Sequence, residues 1–205
     1  VVLDGTTYGV TDTSKVSQFL VVRGTTEISN VTMKDNPASG YNGAFIRQYY
    51  GTMNVSDCTL SGAKGSAGGA ISVEVGTANI NSTIFDGNST KYSAGAIRVV
   101  NGATVTVASC EFRGNTADSV GGAINCDAAT LVVKDSVFEE NSSKGTSGAI
   151  NLTNVSTATI TDSVFKGNQS TADNGGAMKV NKSALSLVNT TFENNHTTNS
   201  GGALF

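Results

Sequence analysis

Five phenylalanines recur along this chain at nearly equal intervals. Phe85, Phe112, Phe138, Phe165 and Phe192 are separated by 27, 26, 27 and 27 residues. Each is followed three positions later by Asn, giving Asn88, Asn115, Asn141, Asn168 and Asn195. A second figure, Gly-Ala before Ile, Phe, Met or Leu, places its Gly at 43, 69, 95, 122, 148, 176 and 202, at steps of 26 to 28. A period in this range means stacked repeats, each unit burying its apolar face only against its neighbours.

The pattern inside one repeat says what is stacked. Five residues before the Phe position stand Val55, Ile80, Val107, Val133, Ile160 and Leu187; seven before it stand Met53, Ala78, Val105, Leu131, Ala158 and Leu185. Polar residues such as Asn54, Thr106, Thr159 and Ser186 lie between, so the period is two and the segment is a strand. The Gly-Ala segment alternates too. Ile71/Val73, Ile97/Val99, Ile124/Cys126, Ile150/Leu152 and Met178/Val180 are expected inward, and Ser72, Arg98, Asn125, Asn151 and Lys179 outward. Between the Phe and the next Gly-Ala lies a turn-rich link, for example residues 114–119. No stretch keeps a helical spacing.

Two strands and a third, short irregular side per unit predict an all-β fold: a single-stranded parallel β-helix of about seven to eight coils of 26–28 residues. At ~4.8 Å per coil it would be a rod roughly 35–40 Å long. The whole of 1–205 is expected to form one domain. Residues 1–36 make a degenerate first coil in which Ser17-Gln18-Phe19 aligns with Gly43-Ala44-Phe45. Residues 37–52 make an irregular, loop-bearing coil, with Tyr41, Tyr49 and Tyr50 near the surface and Arg47 at an inward position. Residues 53–205 make regular coils, although the turn after Leu60 lacks the Asn.

A net charge of -3 with 14% charged residues argues against a nucleic-acid surface, which needs a basic patch. No apolar run reaches the length of a membrane span, and no signal peptide is seen. The chain starts Val1-Val2-Leu3 without Met, as a processed chain or a piece of a longer one would. Cys58 and Cys110 share a repeat position two coils apart, roughly 10 Å at the strand spacing, beyond disulfide reach. The three cysteines are read as small buried thiols.

The recurring residues first invite structural roles. Identical Asn stacked at a turn can form an amide ladder and tolerate the left-handed backbone a turn demands. Asn88, Asn115, Asn141, Asn168 and Asn195 are assigned to such a ladder, and Phe85, Phe112, Phe138, Phe165 and Phe192 to a core stack. The Gly before Ala serves a corner or a close backbone approach. Eleven Asn-x-Ser/Thr sequons lie at Asn30, 54, 81, 88, 141, 151, 154, 168, 181, 189 and 195. Ladder positions cannot carry a sugar, so Asn54, Asn81 and Asn151 are the candidate N-glycosylation positions.

Catalytic readings are weaker. Polysaccharide hydrolysis needs paired carboxylates, and Asp135 and Asp162 share an outward column on adjacent coils. No base or His joins them, His196 sits in a turn, and the four arginines are scattered. No catalytic residue, metal or cofactor is assigned. Thr157-Ala158-Thr159-Ile160-Thr161 hints at a flat threonine array for ice, but neighbouring coils do not continue it.

The paired figures Phe-x-x-Asn and Gly-Gly-Ala-(Ile/Leu/Val) resemble the repeat of the chlamydial polymorphic outer-membrane proteins and related adhesin-like surface proteins. They are carried by Phe112/Asn115 with Gly121-Gly122-Ala123-Ile124, Phe165/Asn168 with Gly175-Gly176-Ala177-Met178, and Phe192/Asn195 with Gly201-Gly202-Ala203-Leu204. Phe85/Asn88 and Phe138/Asn141 match as well, with Ser147 replacing a Gly. The resemblance spans roughly residues 40–205. It implies a right-handed β-helix displayed outside the cell and acting in adhesion; the right-handed crossover preference agrees.

The expected function is therefore that of a non-catalytic extracellular surface protein: a rigid rod for adhesion or display. Its partner would be a cell-surface receptor or other copies of itself, with covalent glycans on outward sequons. The alternative is a subunit stacking end to end into an extracellular filament. A polysaccharide lyase or hydrolase is the weaker third reading.

Overall fold

The computed structural model describes residues 2–4, 18–37, 40–155 and 157–205. Ser17 and most of the expected degenerate coil before it lie outside the described residues.

One coil carries four strands. In the coil that holds Phe112 these are Ile97–Val99, Thr104–Ala108, Glu111–Arg113 and Thr116–Ala117. Each strand pairs in parallel with its counterparts in the coils before and after it: Ile97 sits between Ile71 and Ile124, and Phe112 between Phe85 and Phe138. The pairings build faces of eight, six and twelve strands. The twelve-stranded face holds both the Gly-Ala strands and the strands after them, because Ile46–Ser56 runs unbroken through both. The shortest face has six strands, so there are about six complete turns rather than seven to eight. The link expected to be irregular contributes that six-stranded face through two-residue strands such as Thr116–Ala117.

The core is a bundle of like-residue columns. The Phe rings stack with centroids 4.6 to 5.0 Å apart and planes within 11° of parallel. Isolated rings prefer an offset or edge-on arrangement. Here the strand spacing of ~4.8 Å sets the ring separation, and parallel rings at that distance fall within the range of offset stacking.

The column changes toward the N-terminus, where Leu60 and Met33 replace Phe. Elsewhere in the same coils the reverse exchange occurs. Phe45 takes the place that Ala70, Ala96 and Ala123 hold later, and Phe19 packs on it at 5.3 Å. Volume lost from one column is thus restored in another, which keeps the interior filled.

That exchange corrects the expected register. Gly43 pairs with Gly68, not Gly69, and Ile46, not Phe45, matches Ile71. A slip of one residue turns every side chain to the other face. Arg47 therefore points out beside Ser72, and Gln48 is buried beside Val73. Its Nε2 donates to the carbonyls of Gly51 and Thr77, while its Oε1 has no partner. The loop expected over 37–52 is largely strand from Ile46 onward, with a bulge at Tyr49 against Leu20–Ser29.

The asparagines form a closed circuit. Asn115 Nδ2 donates to the Phe85 carbonyl and to Asn141 Oδ1, each at 2.9 Å. Its Oδ1 accepts from the N–H and the Nδ2 of Asn88. Asn88, Asn141 and Asn168 repeat this pattern, and Asn195 ends it with a bond to the Phe165 carbonyl. A buried amide is costly unless every polar atom is matched, and here each rung is matched by the next. Ala63 interrupts the column and offers only its N–H to Asn88 Oδ1. Asn36, one coil earlier, donates to the Ala44 carbonyl instead.

The left-handed residue is not the ladder Asn, as expected, but the one before it: Gly87, Gly114, Glu140, Gly167 and Asn194, with φ between 53° and 63°. The Gly-Gly pair divides its labour. Gly121 takes φ 65°, while a Cβ on Gly122 would lie 2.0 Å from the Gly148 carbonyl oxygen. Only the first has a left-handed backbone; a Cβ would meet backbone at both, 2.3 Å from the Ile124 carbonyl oxygen at Gly121.

The repeat position shared by Cys58 and Cys110 belongs to a longer column with a hydrogen-bonding role that the sequence did not show. Cys58, Thr83, Cys110, Ser136, Ser163 and Thr190 each bond to the carbonyl two residues back, spanning a left-handed corner residue. Asp135 and Asp162 are such corner residues, at φ 47° and 50°. The cysteines are free and buried. Burial pushes the Cys110 thiol up to about 11, and burial with the Asp127 charge pushes Cys126 up to about 12.

Candidate functional site

Chemistry gathers on the outer face of the Gly-Ala strands. Register places Val21, Arg47, Ser72, Arg98, Asn125, Asn151 and Lys179 in one column. Three of the four arginines meet at its N-terminal end. Arg47 and Arg98 flank Glu74, at 3.3 and 3.1 Å. Arg47 Nε faces the carboxylate without hydrogen-bond geometry, so the ordered bonds come from Arg98 and from Ser72, whose hydroxyl donates at 3.1 Å. Burial pushes the Glu74 carboxyl up, but the charge and hydrogen bond of Arg98, the Ser72 bond and the Arg47 charge outweigh it. The carboxyl is held below its ordinary value.

Arg23 joins from the preceding strand. Its guanidinium stands 4.7 Å from the Tyr49 ring centroid, and that of Arg47 stands 4.4 Å from the same ring. Three of the four arginines expected to be scattered are thus one cluster, and Arg113 stands apart beside Glu111. The signal was available: their separations of 24 and 51 residues are near one and two repeats.

Along the column charge gives way to amides. Asn151 Nδ2 donates to Asn125 Oδ1 at 2.7 Å and to Thr153 Oγ1 at 3.1 Å. Asn125, Asn151 and Ser72 were expected outward, and all three are buried.

The match with known families follows this geometry. Residues 21–205 match the family described as the right-handed β-helix region. The chain belongs to the right-handed β-helix family. No curated protein and no solved structure matches it.

Within this right-handed β-helix the remaining predicted positions are distributed as follows. Asn151, buried and bonded, is not a place for a glycan. Asn54 is half-buried, its amide held by Glu27 and Asn79. Asn81 is exposed. Asp162 Oδ1 accepts from Asn189 Nδ2 at 3.1 Å, and neither Asp135 nor Asp162 contacts a cationic side chain among the described residues. A groove of about 260 Å³ on the six-stranded face is lined by Lys64, Lys91 and a single acid, Asp118, which pairs with Lys144. It offers no second carboxylate for acid–base work.

One expectation reverses. Thr25, Thr52, Thr77, Thr104, Thr130 and Thr157 are in register across six coils. The next outward column is mixed, with Asn54, Asn79, Thr106, Val132 and Thr159. The threonine line is continuous, but only one residue wide.

Proposed function

We propose that this β-helix is a non-catalytic extracellular surface protein, a stiff rod that presents a polar face for adhesion. The carrying observation is the contrast between inside and outside. The inward columns of the Gly-Ala strands stay apolar from coil to coil apart from Gln48, and the Phe and ladder Asn columns keep the same residue from Phe85 onward, while the outward column of the Gly-Ala strands changes from Arg through Ser to Asn and Lys over the same coils. An interior held by a closed amide circuit and stacked rings leaves the outer positions free to vary. The Phe-x-x-Asn and Gly-Gly-Ala figures, which resemble those of the polymorphic outer-membrane proteins, support the same reading.

Binding of the purified, labelled chain to intact cells tests it. Saturable binding supports adhesion. Turnover of a polysaccharide that Asp135→Asn or Asp162→Asn abolishes would replace it with an enzyme. End-to-end assembly into filaments is the second reading. It is favoured by the in-register parallel pairing, which a further copy would meet with matching hydrogen bonds. Electron microscopy of native material decides between them: long fibres support assembly, and isolated short rods leave the adhesive rod. Mass spectrometry of Asn81 tests for a glycan.

A further inference from the structure

We propose that the outer face of the two bulged N-terminal strands docks a protein segment that presents carboxylates beside an aromatic or aliphatic side chain. The proposal rests on the adhesive reading and names the chemistry of one contact within it.

The site is built across the pair Leu20–Ser29 and Ile46–Ser56. Val21 lies beside Arg47, and Arg23 beside Tyr50. Tyr49 is the extra residue of the bulge between them. Bulges re-aim side chains and recur next to functional sites. Here the bulge puts one ring under two guanidinium groups, at 4.7 and 4.4 Å.

The charge arrangement asks for an anion. The chain carries a net charge of -3, yet two cations crowd a single ring here. Among the described residues the acid that Arg47 contacts is Glu74, which is shared with Arg98. Arg23 is exposed and pairs with no carboxylate among the described residues. Two like charges this close repel each other, and an incoming carboxylate relieves that repulsion. Arg47 lies between the Glu74 charge and the Tyr49 ring, and its Nε has no hydrogen-bond partner, so its donors are not used up within the chain; planar guanidinium groups match carboxylates in a bidentate way.

The apolar component points to protein rather than sugar acid. Val21 and Tyr50 are 43% and 53% exposed, immediately beside the two arginines. Exposed Tyr, Arg and aliphatic side chains in one patch have the composition of a protein-interface anchor.

The test uses the full 205-residue chain and three fluorescent or labelled probes: a peptide alternating Glu with Tyr, a peptide of Glu alone, and polygalacturonate. The Glu-Tyr peptide is expected to bind most tightly and to weaken as salt rises. Arg23→Gln and Tyr50→Ser, both at exposed positions, are each expected to lose about tenfold in affinity. Arg23→Lys is expected to lose several-fold, because the charge remains but the fork is gone. Asp135→Asn is expected to bind as the parent does. Circular dichroism checks that each variant is folded. The proposal is overturned by no binding of the Glu-Tyr peptide, by binding indifferent to Arg23→Gln and Tyr50→Ser, or by tighter arginine-dependent binding of polygalacturonate. If whole-chain adhesion to cells survives both substitutions, this contact is wrong and the adhesive rod stands. If cells are not bound at all, the adhesive reading fails and the peptide titration judges the patch separately.

Discussion

The first coils and the later ones obey the same period but spend their residues differently. From Phe85 onward the rings stack and the amide circuit is unbroken. Before it, Leu60 and Met33 replace Phe, Ala63 breaks the amide column, and Gln48 leaves an oxygen without a partner inside the core. The arginine–tyrosine cluster belongs to this irregular end. Local rules are broken most often where function is carried, and here the departures sit beneath the outward residues with the richest chemistry. Regularity stabilises the later coils; irregularity lets the early strands bulge and aim Tyr49.

Substitutions can separate the two regions. The largest effect is expected at Asn141→Leu. It orphans the Asn115 N–H, the Asn115 Nδ2 and the Phe112 carbonyl. At about 1–3 kcal/mol per orphaned buried group, the loss is on the order of 5 kcal/mol, read by urea unfolding. A loss under about 1 kcal/mol would show that the circuit is ornamental.

Phe112→Ala should cost about 3–5 kcal/mol through lost burial and the cavity left behind. Phe112→Leu, which copies the early-coil solution, should cost only about 1–2 kcal/mol. Equal losses would mean that shape, not burial, governs the stack.

Acid should act on the irregular end through Glu74. Its folded pKa is depressed, so its contribution is complete above its unfolded value of about 4.5 and is lost as pH falls through the lower folded value. Melting temperature of the parent should therefore drop more steeply than that of Glu74→Gln below about pH 4.5. Parallel curves would remove Glu74 from the balance.

Gln48→Val, which completes the early apolar column, should change stability by no more than about 1 kcal/mol, because two hydrogen bonds are exchanged for relief of an unpartnered oxygen. A large loss would make Gln48 an anchor of the bulge. The smallest effect is expected from thiol reagents at pH 8. Cys110 and Cys126, with pKa values pushed to about 11 and about 12, should remain unmodified until denaturant is added.

The fold was legible because its period is carried by side chains with no other use in such numbers. Phe at 85, 112, 138, 165 and 192, with Asn three residues on, can be read without any neighbour. The early register was not. Gly43-Ala44-Phe45 looks like Gly69-Ala70-Ile71, and only the exchange of Phe for Ala between columns shows that it is shifted by one. The site was missed for the same reason: once Arg47 is placed inside, Arg23, Arg47 and Arg98 cannot form a cluster. Burial of Asn125 and Asn151 was also hidden, since alternation reports which way a side chain points and not what covers it.

The amide circuit runs one way only. In every rung the oxygen accepts from the coil before it and an N–H of the Nδ2 group reaches to the coil after. The line therefore has a direction, running from Asn88 to Asn195. Two such lines set head to head would oppose donors to donors, and set tail to tail would oppose acceptors to acceptors. Any axial partner that continues it must come in with the same sense, as the next link of a chain and never as a mirror-like pair.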